Sequence, residues 1–298
     1  MPRPGPTVRA LAAAGIAGLA TALTTAALPT TPRLSTPALL DLTDSGCAAP
    51  APVPASELAT TVTTTATVLA YPRPARPVLH DLALHIAPAD RDQASGRFNM
   101  VHHRAWYVAD GGEHTTRDVV RWYRDDDSGA EPASEHPAPR PGEARDFWLV
   151  GDLHYYNLAD AVRSGDFLRT RAGSQPMEAL TNLAFLSRWR SPRRTGRILT
   201  AQLLADTPGL TAYPHTVDRA GRTGIAVAAI NGGGRERCLL ILHPSTGEVR
   251  AYELAARTAT GWQARIYLLL LTRTHVERRW WEPSADGAPC PHRNRIGG

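Results

Sequence analysis

From Gly96 onward the chain alternates apolar and polar positions in the period-two pattern of half-buried strands. "GRFNMVHHRAWYV" and "HTTRDVVRWYR" form the first two such runs, joined by "ADGGE", a turn-forming stretch. A Pro/Glu-rich stretch, 125–144, reads as a long surface loop before "RDFWLVGDLHYYNLADAV". The period then changes to that of helices. In "PMEALTNLAFLSRW", Met177, Leu180, Ala184 and Leu186 fall to one side, with Glu178 in the first turn. "SPRRTGRILTAQLLADTPG" offers Ser191 as N-cap, Pro192 at the first helical position and Pro208 as a stop; Ile198, Ala201 and Ala205 form its stripe.

After that stop the hairpins resume. Tyr213, His215 and Val217 alternate, "DRAGR" turns with Gly221 free to take a positive φ, and Ile225 and Val227 return. "NGGGRE" and "PSTGE" are further turns, flanking "CLLILH" and preceding "VRAYELA". "WQARIYLLLLTRTHVERRW" then reads as one strand of ~56 Å, long enough to have to twist around a filler. Short connections between neighbours predict antiparallel pairing. The expected architecture is α+β: a long curved antiparallel sheet, half-barrel-like, packed on two central helices.

The N-terminal part follows a different pattern. Residues 10–28, "ALAAAGIAGLATALTTAAL", are uncharged and would span about 28 Å as a helix, close to the hydrocarbon core of a bilayer. Arg3 and Arg9 precede them, which places 1–9 in the cytoplasm and the remainder outside. The run is only weakly hydrophobic, so a cleaved signal peptide is the competing reading; either way the domain is extracytoplasmic. The expected organisation is a cytoplasmic segment 1–9, an anchor or signal segment 10–28, a Pro/Thr/Ala-rich linker 29–55, an α+β domain 56–285 and a tail 286–298. At the start of the domain, Leu58, Val62 and Leu69 follow Ser56 at helical spacing, although the β-branched threonines equally allow a strand.

Composition narrows the chemistry. The chain has 298 residues and a formal charge of +5, and every one of its 33 basic residues is arginine. Without lysine there is no Walker A loop, no Schiff base and no Ser-Lys dyad. A charge of +5 spread over this length is no nucleic-acid footprint. Cys47, Cys238 and Cys290 lack zinc spacing, and Cys47 with Cys290 is the one pairing that would tie linker to tail; Cys238, alternating with Leu240 and Leu242, reads as a small buried hydrophobe. His102 and His103 are adjacent and so face opposite sides of a strand, which keeps them from sharing a metal. "RDDDSG" lacks the spaced oxygens of a calcium loop. His243 and Ser245 in "HPSTG" fit a turn better than a catalytic pair, for which no acid can be placed. No cofactor, metal or catalytic residue is expected.

Arg188, Arg190, Arg193, Arg194 and Arg197 crowd the joint between the two helices. Arg190, Arg194 and Arg197 would share a face if the second helix began early, offering contact with anionic headgroups or an acidic partner; a plain solvated face is the alternative. The tryptophans at 106, 122, 148, 262, 280 and 281 read as core and sheet-edge packing.

"LLADTPGLTAYPHTVDRAGRTGIAV" and "RERCLLILHPSTGEV", with "RAWYV" and "VVRWYRDDDSG", resemble a family of membrane-anchored proteins of high-GC Gram-positive bacteria, often encoded beside extracytoplasmic-function sigma factors. The resemblance covers about 80–280 and implies the half-barrel of lipoprotein carriers and envelope-stress sensors, without catalytic residues. Nine residues at 1–9 are too few for a sigma-factor interface of standard size, so any such link would pass through another membrane protein. The expected function is a non-enzymatic, tethered binding or sensor module with an envelope-protein or hydrophobic ligand. A carrier of an acyl chain between sheet and helices is the alternative, and a hydrolase the third reading.

Overall fold

The structure is a computed structural model; it describes residues 64–109, 111–137, 147–152, 175–189 and 192–278. These belong to one compact unit. The segment 10–28, the linker, Arg190, Ser191, Cys47, Cys290, Trp280, Trp281 and the tail lie outside the described residues, and no described helix is long and apolar enough to cross a membrane.

The fold is α+β: one large antiparallel sheet with three helices. In chain order the elements are β1 (Arg73–Pro74), α1 (Ala75–His85), β2 (Phe98–Val108), β3 (His114–Tyr123), β4 (Gly129–Ala130), β5 (Ala133–His136), β6 (Phe147–Trp148), α2 (Pro176–Ser187), α3 (Arg194–Asp206), β7 (Thr211–Val217), β8 (Thr223–Ile230), β9 (Glu236–Leu242), β10 (Val249–Thr258) and β11 (Gly261–Val276). The sheet runs β1-β7-β8-β9-β10-β11-β2-β3-β4-β6, with β5 also on β3. The four hairpins from β7 to β11 follow the chain, as their turn residues dictate; Gly221 turns at φ +78. β11 extends over 16 residues because β10 supports its first half and β2 pairs along most of its length.

Helix and sheet bury one another through matched periods. Leu180, Leu183 and Ala184 of α2, Ala201, Leu204 and Ala205 of α3, and Leu79, Leu82 and Ala83 of α1 meet Val227, Leu240, Tyr252 and Leu268 of the sheet in a single core. The opposite face of the same strands carries Ala226, Ala228, Leu239, Ile241, Tyr267, Leu269 and Trp106, and it is buried too. An apolar set on both faces means that something also covers the side away from the helices.

Four expectations change. A third helix, α1, occupies 75–85: Leu79, Leu82, Ala83 and Ile86 sit at helical spacing, and Pro77 falls in the first turn, where its missing N–H costs no hydrogen bond. The described part of the 56–70 stretch, 64–70, is not helical; Thr65 instead bridges Gln263. The stretch 125–144 is more than a surface loop, since β4 and β5 pair with β3 and bury Ala130 and Glu131. Finally, α3 starts at Arg194 with Arg193 as N-cap and no side-chain cap of its own.

Strands β8 and β9 approach closely at Gly224. A Cβ there would lie 2.5 Å from Ile241 Cγ2 and 2.7 Å from Leu242 O. Gly224→Ala is expected to lower the urea unfolding free energy by about 1–3 kcal/mol, the usual penalty of overpacking. An unchanged midpoint would show that β8 and β9 separate there at no expense.

Candidate functional site

Charged residues inside strands mark the region of interest. Glu253 sits in the middle of the apolar strand β10 and Arg237 near the start of β9, both on the face away from the helices. Glu253 is fully buried. Its Oε1 accepts from Arg237 Nη2 at 2.8 Å, and its Oε2 accepts from both the backbone N–H and the Oγ1 of Thr67, each at 2.8 Å. Arg237 Nη2 also donates to the Thr67 carbonyl at 2.9 Å, while the guanidinium carbon lies 5.3 Å from the Trp262 ring. Thr67 is therefore gripped at all three of its polar groups.

Thr67 belongs to a strap that explains the second buried face. Thr64 O accepts from Ala264 N at 2.8 Å and Thr65 bridges Gln263, so the strap begins on the edge of β11 that β2 leaves open. It reaches β7 at the other side, where Arg73 pairs with Ala212. Between those points it crosses β10 and β9 at the Glu253–Arg237 pair, and Leu69 packs on the apolar face. Nine residues of extended chain span roughly 26 Å, enough to traverse four strand spacings of ~4.8 Å.

A second charged set lies on the same face. Asp118, fully buried, accepts from Arg104 Nε at 2.9 Å and lies 3.0 Å from His102 Nε2. Between the two sets, Arg219 lies over the rings of Tyr267 (4.0 Å) and Trp106 (5.2 Å), and burial pulls its guanidinium below the usual value. Tyr267 donates no proton easily, since burial pushes its phenol up.

The helix side carries its own polar knot. Arg121 Nε donates to Glu131 Oε2 at 2.6 Å, its Nη2 approaches the same oxygen, and its Nη1 donates to Arg188 O at 2.8 Å. Its guanidinium stacks 3.4 Å from the Trp189 ring. Burial lowers the Arg121 pKa to about 10, the Glu131 charge opposing that fall. Beside it His103 is fully buried and neither ring nitrogen has a hydrogen-bond partner. His102 and His103 do face opposite ways, as neighbours on a strand must.

The arginines singled out by sequence do not form one outward face. Arg197 is buried, 1% exposed, where the spacing suggested a headgroup or solvent contact. Its Nη1 and Nη2 donate to Asp92 Oδ1 and Oδ2 at 2.7 and 2.8 Å, and its Nε to Thr246 O at 2.6 Å. The reason lies in the helix cap: α3 has no cap of its own, and Asp92 supplies one by accepting the Arg194 N–H at 3.1 Å, so the carboxylate sits where Arg197 can pair with it. Arg194 is exposed but its Nε donates to Ile86 O at 2.8 Å. Arg190 lies outside the described residues.

His243 and Ser245 do approach each other. Ser245 Oγ is 3.2 Å from His243 Nδ1, but the same nitrogen accepts the N–H groups of Ser245 and Thr246 at 3.1 and 3.2 Å. Nδ1 is thus a turn acceptor, and taking a proton from Ser245 would mean surrendering both backbone bonds. Burial lowers the His243 pKa further. Cys238 is buried, 3.4 Å from Tyr252 Oη, with its thiol pushed up by burial. Among the described residues no three His, Cys, Asp or Glu side chains gather as metal ligands.

The clamp itself was readable only in half. A glutamate inside "AYELA" and an arginine opening "RCLLIL" are charges at inward strand positions, whereas nothing in "TTTATVLA" distinguishes Thr67 from its neighbours. No protein-family model matches the chain, and no curated protein matches it.

Proposed function

We propose that the chain is a non-enzymatic, membrane-tethered extracytoplasmic module that binds or senses through the strap-covered face of its sheet. One observation carries this reading: the segment that leads from the apolar stretch 10–28 into the domain is held by a buried carboxylate and guanidinium at a single residue, Thr67. Buried ion pairs contribute little net stability, but they fix orientation. A tether gripped in this way reports its position to the sheet. A curved, half-barrel-like sheet and a link to sigma-factor signalling through another membrane protein belong to the same proposal, supported by the sequence resemblance.

The test is topological. In protoplasts of an expressing strain, external protease is expected to remove the domain while the cytosol stays intact, and the full chain is expected to resist alkaline carbonate extraction. A chain found in the cytosol overturns the reading. Mass spectrometry of organic extracts of the purified chain distinguishes the carrier: a stoichiometric acyl lipid would replace the sensor with that alternative.

A further inference from the structure

The strap supplies a bound ligand that the chain itself provides. Every polar contact on Thr67 goes to a group that any extended segment with a hydroxyl residue presents: one N–H, one C=O and one hydroxyl. Two residues later Leu69 enters the apolar face lined by Leu239, Ile241 and Tyr267. The residue between them, Val68, is 82% exposed, and Tyr71 equally so; their side chains make no demand on the site. Upstream, the Thr64 carbonyl extends β11 by one main-chain bond at an edge that β2 does not fill.

The strap is thus held as an extended segment in three ways: a short main-chain bridge at the open edge of β11, a polar fixture at Thr67 and an apolar surface under Leu69. A buried charged clamp serves this purpose better than it serves stability, because an apolar pair of similar volume would hold the face as well. Resting on the binding-module reading, we propose that the Glu253–Arg237 pair is a receptor site for an extended polypeptide segment with threonine or serine two residues before an aliphatic residue, occupied in this structure by the chain's own strap. Cis occupancy makes the strap a competitor. A partner segment gains the site when the strap leaves it, so the tether and the partner exclude one another.

The probe is a fluorescein-labelled synthetic peptide, VTTTATVLAYP, the sequence of Val62 to Pro72, titrated against the full chain. A full-length Thr67→Ala/Leu69→Asp variant weakens the cis strap at two of its contacts. It is expected to bind the peptide about tenfold more tightly than the wild-type chain, the gain from an emptied site. The same peptide with alanine at the Thr67 position is expected to bind that variant about tenfold less well. Adding Glu253→Gln should make the two peptides bind alike while circular dichroism stays unchanged. Absence of saturable binding, or equal affinity of the two peptides before Glu253 is altered, overturns the site.

The wild-type chain gives a reading that requires no substitution. Saturating peptide should speed hydrogen exchange of the Thr67 amide, now bonded to Glu253, by about tenfold. Exchange that stays constant at saturation overturns the exchange of strap for partner. Failure of either measurement leaves protease access in protoplasts unaffected, so loss of this inference is distinguishable from loss of the tethered module.

Discussion

Arg197→Ala is expected to destabilise the domain by about 3–5 kcal/mol, the penalty for breaking a buried ion pair by removing one partner. The guanidinium serves five acceptor atoms: both Asp92 oxygens and the carbonyls of Ala87, Pro192 and Thr246. Those acceptors come from the end of α1, the turn at Asp90–Asp92, the entry to α3 and the β9–β10 turn. Removing the side chain takes the bidentate guanidinium away from the Asp92 carboxylate, which is 13% exposed. It also takes a donor from the partly buried carbonyls of Ala87, Pro192 and Thr246. Arg197→Lys keeps the charge but not the fork, so it should fall between wild type and alanine. Arg194→Ala removes one exposed donor and should change stability by under about 1 kcal/mol. Urea midpoints of the three variants check the order. Arg197→Ala within 1 kcal/mol of wild type would mean that the four segments hold together without it.

That contrast shows where sequence reasoning reaches its physical limit. The hairpins from β7 to β11 were legible because their information is local: Gly221 and its polar neighbours dictate a turn, and alternation dictates the faces. The stripes of α2 and α3 were legible for the same reason. Helix α1 was not, because prolines at 72, 74 and 77 mark a break unless one knows that the third falls in a first turn. The two-residue β4 and four-residue β5 are too short to show any period.

Long-range pairing hid the partners at the polar sites. Arg197 sits in an arginine cluster whose spacing suggests solvent, and its burial depends on Asp92, 105 residues earlier in the chain. Thr67 meets Glu253 across 186 residues. A charge within a strand signals that a partner exists; it does not say where the partner lies in the chain.

The strongest pH effect is expected at His103. Its buried ring feels the charges of Arg188 from the end of α2, of Arg121 and Arg117 from β3 and of its neighbour His102 on the opposite face, with Glu131 already occupied by Arg121 and Arg117. Desolvation first, then those charges, hold its pKa well below 6.5. The folded state therefore keeps the imidazole neutral over a range in which the unfolded chain takes up a proton. Stability contributed by the neutral ring is complete above about pH 6.5 and is lost as the pH falls, by about 1.4 kcal/mol per unit until the folded pKa is reached. His103→Phe keeps a flat ring and removes both unpartnered nitrogens, so at about pH 7.5 it should match wild type or exceed it. The difference in urea unfolding free energy between variant and wild type should then widen steadily on acidification, since every other titrating group is common to both. Parallel curves from neutral pH into the acid range would show that His103 finds a proton acceptor in the folded chain, and the polar knot around Arg121 would have to open to provide it.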